Sequence, residues 1–166
     1  MMNRVLAGVL CGSVALVAVG APSAFAEVGV SVKSAKLAAP YVSSPTDAVV
    51  VVKLEQTSYE NISLDVTLPD FVATKEREYG EGACPTSIVR VISELEVFEC
   101  GYAQEGRNVV LRLAIEGTET TGKVKIRIKR AALTAPQRAG TYDLSVSSWA
   151  FDPVTTPVTV LSGPLK

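Results

Sequence analysis

The sequence predicts an all-β protein, an antiparallel β-sandwich of about seven to eight strands. Short segments in which apolar and polar residues alternate recur along the chain, and the clearest is Val124–Lys129. Turn-forming Gly, Pro, Ser and Asp residues separate these segments. No segment has the sustained period of a helix, so crossover helices are absent and the strands should pair antiparallel.

Eight strands are predicted, and some carry their own burial pattern. The β-branched run Val49–Val52 favours a strand that is buried on both faces. The region 74–100 reads as a largely solvated excursion between strands, although Leu95 and Val97 in it should face inward. In chain order the predicted strands span residues 28–33, 48–54, 62–68, 88–98, 109–115, 124–129, 142–151 and 158–161.

The N-terminus has the pattern of a secretory signal peptide over residues 1–26. Arg4 precedes an apolar stretch, and the small residues Ala24 and Ala26 stand where signal peptidase requires them. Cleavage after Ala26 would leave residues 27–166 as a single domain without a second apolar run of the roughly 18 residues that a membrane span needs. The chain is therefore expected to be secreted, either extracellular or in the cell envelope.

The predicted export determines the expected oxidation state of the cysteines. Cys11 would leave with the signal peptide, so Cys84 and Cys100 remain as an even pair in an oxidising compartment. A disulfide between them is predicted to stabilise the fold by about 3 kcal/mol. The alternative, a metal-binding or reactive thiol pair, fits less well because the chain has no His.

Catalytic and cofactor sites are not expected. With no His, a nucleophile paired with a His base and the usual zinc or copper sites are excluded. No phosphate-binding loop, dinucleotide motif or calcium loop is present, so no cofactor and no metal is predicted. Glu94 and Glu96, on one strand face, leave open a glycosidase that uses two carboxylates, but a solvated strand face is the simpler interpretation.

Charge is balanced over the chain, with a net charge of −1, but it is locally uneven. In the predicted strand 124–129 the basic residues alternate with Val124, Ile126 and Ile128, so Lys123, Lys125, Arg127 and Lys129 should lie together on the outward face. This basic strand could bind an anionic glycan, a cell-wall polymer or extracellular nucleic acid. It could also contact the acidic region 76–105 of another copy, or protect an exposed strand from edge-to-edge aggregation. Between residues 120 and 142 lie six basic residues and no acidic one: Lys123, Lys125, Arg127, Lys129, Arg130 and Arg138.

Trp149 is the only tryptophan. Counting by two from Tyr142 places Trp149 and Phe151 on the polar face of their strand. A bulge near Ser147 would instead bury both at the end of the sandwich, and this is the interpretation that the sequence favours. The alternative is an exposed aromatic site for a ligand or partner.

Residues 131–148, AALTAPQRAGTYDLSVSS, resemble a module of large bacterial and archaeal surface proteins with the approximate pattern ITNPxxAGTYTLTVSTS. Residues 64–71 resemble the strand and turn ITITFPxGF of that module, and residues 152–158 fill its Pro-rich turn. The resemblance implies an immunoglobulin-like sandwich in a surface or matrix protein and implies no catalytic residues. This chain departs from the pattern in its basic segment 123–129, which is usually Thr-rich, and in carrying the module once.

The sequence therefore predicts an exported, non-enzymatic structural or interaction module that binds protein partners or self-associates at the cell surface. The alternative is a module that binds carbohydrate or a polyanion through the basic strand or Trp149. The candidate residues are Cys84 and Cys100 for the disulfide and, for binding, Lys123, Lys125, Arg127, Lys129 and Trp149.

Overall fold

A computed structural model describes residues 29–55, 61–93, 95–116 and 122–163, and it confirms the all-β prediction. The predicted signal peptide, residues 1–26, lies outside the described residues. Within the sheets every strand pair is antiparallel. The strands are β1 (Val30–Leu37), β2 (Ala48–Leu54), β3 (Asn61–Pro69), β4 (Val72–Ala73), β5 (Arg77–Glu81), β6 (Val89–Ser93), β7 (Val97–Glu105), β8 (Asn108–Glu116), β9 (Gly122–Ile128), β10 (Leu133–Thr134), β11 (Gly140–Ser148) and β12 (Phe151–Val160).

Two sheets enclose the core. The first has the order β1-β2-β9-β6, and the second has the order β12-β11-β3-β8-β7-β5, while β4 and β10 form a small pair of their own. In β2, β3 and β9 every second side chain is buried, because one face of each strand turns to the core and the other to solvent. The largest fully buried side chains include Phe71, Tyr102, Leu111, Leu113 and Ile126.

The single strand predicted at 88–98 is two strands in different sheets, so this prediction is wrong. β6 belongs to the four-stranded sheet, and β7 begins at Val97 in the six-stranded sheet. Leu95 and Val97 pack against the core as expected, because the chain keeps its apolar side toward the same core while it crosses between the layers. The region 74–100 also contains β5, whose polar residues give no strand signal, so it is more ordered than predicted.

Val49–Val52 is buried on one face only, which corrects the prediction that β2 is covered on both sides. Val50 and Val52 are fully buried, whereas Val49 and Val51 are half-exposed on the outer side of the four-stranded sheet. On this outer side Val49 lies between Lys36 and Arg127, and Val51 lies beside Lys125.

The predicted disulfide between Cys84 and Cys100 is present, with the two Cα atoms 5.3 Å apart. Cys100 lies within β7 and is fully buried, and Cys84 lies in the connection between β5 and β6. The bond therefore anchors the chain to the core where it passes from one sheet to the other.

Replacing Tyr102 with Phe should lower the free energy of unfolding by about 1–2 kcal/mol, measured by chemical denaturation. The Tyr102 ring is 1% exposed, and its hydroxyl donates a hydrogen bond to the Ala132 carbonyl at 2.9 Å. The substitution leaves that carbonyl without this donor while the ring stays in place. Tyr142→Phe is a matched control, because the hydroxyl of Tyr142 bonds the Arg138 carbonyl at an exposed position and should matter less.

Candidate functional site

The outer surface of the four-stranded sheet collects basic side chains from all of its strands. Lys123, Lys125 and Arg127 point outward from β9, as predicted. The register places Lys53 of β2 opposite Lys123, and Arg90 of β6 opposite Arg127. We call this surface the basic face, and its basic residues are Lys36, Lys53, Arg90, Lys123, Lys125 and Arg127.

The position of β9 rules out one interpretation of its charge. β9 lies between β2 and β6 inside the sheet, so its lysines do not protect a free edge from pairing with another chain. Between the charges the face presents apolar side chains, among them Ile92, which is 51% exposed. Glu55 pairs with Lys53, with Oε1 and Nζ 2.9 Å apart. Positive charge therefore dominates the centre of this sheet.

The outer surface of the six-stranded sheet has the opposite character. Arg112 lies at its centre, where it forms an ion pair with Glu105 and lies 3.7 Å from a carboxylate oxygen of Asp65. We call this surface the acidic face, and its acidic residues are Asp65, Glu81, Glu99, Glu105, Glu116 and Asp143. The prediction had placed the acidic partner surface within residues 76–105, whereas the fold draws it also from β3, β8 and β11.

One corner of the acidic face is closely packed. The Tyr79 ring lies over Gly101, where a Cβ atom would come within 2.8 Å of the Tyr79 Cβ, so a larger residue at Gly101 would force the two apart. The Tyr79 hydroxyl donates a hydrogen bond to Glu99, and this bond, with partial burial, raises the pKa of Tyr79 to about 12. Burial raises the pKa of Asp65 against the opposing effect of Arg112.

Asp47 fixes the end of the basic face. Its side chain is 3% exposed and accepts hydrogen bonds from the Arg127 guanidinium and, at 2.6 Å, from the Arg130 backbone N–H. Burial alone would raise the pKa of Asp47, but the hydrogen bonds and positive charges of Arg127 and Arg130 outweigh it, so the pKa is lowered. The sequence analysis did not identify Asp47. No local pattern indicates that an Asp before a valine-rich strand will bind an arginine that is distant in sequence.

Asp47→Asn should lower the free energy of unfolding by about 2 kcal/mol at pH 7, because it removes the charge that holds Arg127 and the Arg130 N–H. A carboxyl whose pKa is lowered by folding stabilises the protein above its unfolded pKa, and this contribution is lost as pH falls through the lower folded pKa. The stability difference between wild type and variant should therefore shrink below about pH 4. Chemical denaturation at pH 7 and pH 3 measures it, and a difference independent of pH would contradict this role.

Lys129 lies just beyond β9 and is half-buried, so it does not continue the row of Lys123, Lys125 and Arg127. Lys129 and Arg130 line a pocket at the end of the basic face together with Arg127. Arg138, which the sequence had grouped with them, lines a different cleft beside Tyr142. The basic segment is thus divided between two surfaces of the molecule.

Trp149 is 63% exposed, so the predicted burial is wrong. The expected bulge exists, as a register shift between Val146 and Ser148 where β11 pairs with β12. It turns Phe151 toward the core, but Trp149 falls in the two-residue turn that joins the strands. Because this turn joins two neighbouring strands of the six-stranded sheet, the indole lies at the tip of their hairpin.

Outside these surfaces, the described residues offer few groups for catalysis or metal binding. Glu94 lies outside the described residues, and Glu96 is exposed. No group of three or more His, Cys, Asp or Glu side chains among the described residues could hold a metal ion. Within the same residues, no helix has the length and apolarity required to cross a membrane.

Comparisons with known proteins give structural similarity but no match to a protein family or a curated protein. Among solved structures, the crystal structure of BslA, a bacterial hydrophobin, aligns with a TM-score of 0.40 and 15% sequence identity. That alignment covers 84% of this chain and 95% of the BslA chain.

Proposed function

We propose that this protein is an exported, non-enzymatic structural module of the cell envelope or extracellular matrix that self-associates by stacking its basic face on the acidic face of another copy. One observation carries the proposal: the two large faces of one sandwich have opposite charge. Opposite potentials on two surfaces attract each other and also fix their relative orientation. The predicted signal peptide and the resemblance to surface-protein modules support the location.

Such stacking is heterologous, because each contact joins two different surfaces. A heterologous contact that does not close into a ring repeats without end, so the expected product is a chain or fibre. The basic face, with four strands of about seven residues, measures about 19 Å by 23 Å, or about 400 Å². This is small for a stable interface, so assembly should depend strongly on concentration and ionic strength.

A zero-length carbodiimide cross-linker, which joins an amine to a carboxylate in direct contact, tests the stacking. Lys125 and Asp143 lie on opposite sides of the sandwich, so a link between them can form only between copies. We expect mass spectrometry of low-salt samples to find links between lysines of the basic face and carboxylates of the acidic face. Links confined to neighbours such as Lys53 and Glu55 would contradict the proposal.

A second candidate function is carbohydrate binding through Trp149, and the exposed indole at the hairpin tip favours it. An aromatic ring at such a tip can stack on the apolar face of a sugar. Because Trp149 is the only tryptophan, its fluorescence reports binding directly. A glycan array followed by fluorescence titration would support this function if a hit shifts the emission and Trp149→Ala abolishes binding, and would reject it otherwise.

A further inference from the structure

A pocket of about 360 Å³ opens where β9 ends, at the border of the basic face. The turn after β9, the connection that follows Cys84 and the segment before β5 meet there. The residues that line it include four with a positively charged side chain and two with a hydroxyl group: Lys75, Arg127, Lys129 and Arg130, and Thr86 and Ser87.

Positive charge in this pocket is largely uncompensated. Asp47 is the one carboxylate among the lining residues, and it is already occupied by Arg127 and the Arg130 backbone N–H. Among the described residues, no ion pair involves the side chain of Lys75, Lys129 or Arg130. Close like charges repel one another, so an anion that enters the pocket would relieve this repulsion.

Backbone hydrogen bonds fix the walls of the pocket. The Ala132 N–H donates to the Lys129 carbonyl at 2.8 Å and closes the turn that carries Arg130. The Lys129 N–H donates to the Ile88 carbonyl, also at 2.8 Å, which joins this turn to the connection bearing Thr86 and Ser87. That connection begins at the disulfide-bonded Cys84. The backbone that carries the donors is thus fixed in advance, which reduces the backbone entropy lost on binding.

We propose that this pocket binds one phosphate group of an anionic polymer, and that the basic face binds the next phosphate groups along that polymer. Guanidinium groups bind phosphate through paired N–H donors, and lysine and hydroxyl groups supply further donors to its oxygens. From Arg127 the row continues to Lys125 and Lys123 in steps of about 6.6 Å. Repeated phosphates along an extended chain could follow this row.

The composition of the basic face indicates which phosphate polymer fits. Single-stranded nucleic acid is normally bound by aromatic side chains on which the bases stack. No described outward-pointing residue of β1, β2, β6 or β9 is aromatic. The chemistry therefore favours a polymer without bases, such as a polyphosphate or a polyol phosphate. This inference goes beyond self-association, and the polymer would compete with the acidic face for the same lysines.

Titration of the mature chain, residues 27–166, with medium-length polyphosphate by isothermal calorimetry tests the pocket. The triple variant Lys75→Gln, Lys129→Gln and Arg130→Gln should weaken binding at least about tenfold. A matched variant, Arg107→Gln, Arg112→Gln and Arg138→Gln, removes the same charge away from both the pocket and the basic face and should weaken binding by less than about threefold. Equal losses in both variants would overturn the proposed pocket and leave only diffuse attraction.

Three further measurements distinguish phosphate binding from general anion binding and from self-association. Saturable changes in the phosphorus-31 signal of inorganic phosphate should occur in wild type and vanish in the pocket variant. Equally tight binding of polyuronate or single-stranded DNA at matched charge would overturn the preference for a base-free phosphate polymer. Light scattering on the same samples keeps the two proposals apart, because the pocket variant retains Lys123 and Lys125 and should still self-associate.

Discussion

Replacing Cys84 and Cys100 together with alanine should lower the free energy of unfolding by about 3 kcal/mol. The disulfide closes a loop of 16 residues in sequence separation, and without it the unfolded chain regains the entropy that the cross-link removes. The bond also anchors the passage from β5 to β6 to the core. Chemical denaturation of wild type and variant measures the loss directly.

Wild type in a reducing buffer is the natural control for this prediction. It should unfold at the same denaturant concentration as the double alanine variant, because both lack the cross-link. The sheets should still form, since the core that joins them is built mostly from other side chains. A loss below about 1 kcal/mol, or a wild type indifferent to reductant, would show that the disulfide does not stabilise the native fold as described.

Reversing two charges on either face should abolish self-association. Lys123→Glu with Lys125→Glu places two negative charges at the centre of the basic face, which then repels the centre of an acidic face. Asp143→Lys with Glu116→Lys places two positive charges on the acidic face, which then attracts a basic face less strongly. None of these four side chains forms an ion pair among the described residues, so folding should be little affected. Sedimentation velocity should find each variant monomeric.

Mixing the two variants provides the control. The lysine variant keeps an intact acidic face, and the acidic-face variant keeps an intact basic face, so the mixture regains complementary pairs. Equimolar mixing should therefore give heterodimers, joined through one intact basic face and one intact acidic face, that neither variant forms alone. Failure of the mixture to assemble, with both variants folded by circular dichroism, would contradict face-to-face stacking. Arg127 is left unchanged because Asp47 depends on it.

Local alternation predicted the strands but could not predict their neighbours. The inward residues Val124, Ile126 and Ile128 of β9 follow directly from period two. Whether β9 is an edge or an interior strand depends on its pairing with β2 and β6, which are distant in sequence. The basic strand was therefore identified, and the reason for its charge was not.

The full acidic face and the basic pocket at the end of β9 could not be predicted from the sequence for the same reason. Their residues come from segments that have no local relation, such as Asp65 with Glu99, or Lys75 with Lys129. Trp149 shows a subtler limit, because the bulge near Ser147 was predicted correctly but its effect on the indole was not. A register shift changes the face of the sheet on which a side chain lies, whereas a residue in a turn lies on neither face.

Light scattering of residues 27–166 during size-exclusion chromatography, at low and at physiological salt, tests the central claim most directly. Stacking of oppositely charged faces predicts species larger than a monomer at low salt that dissociate as screening shortens the range of the attraction. A monomer at both salt concentrations, or an assembly that salt does not change, would contradict it.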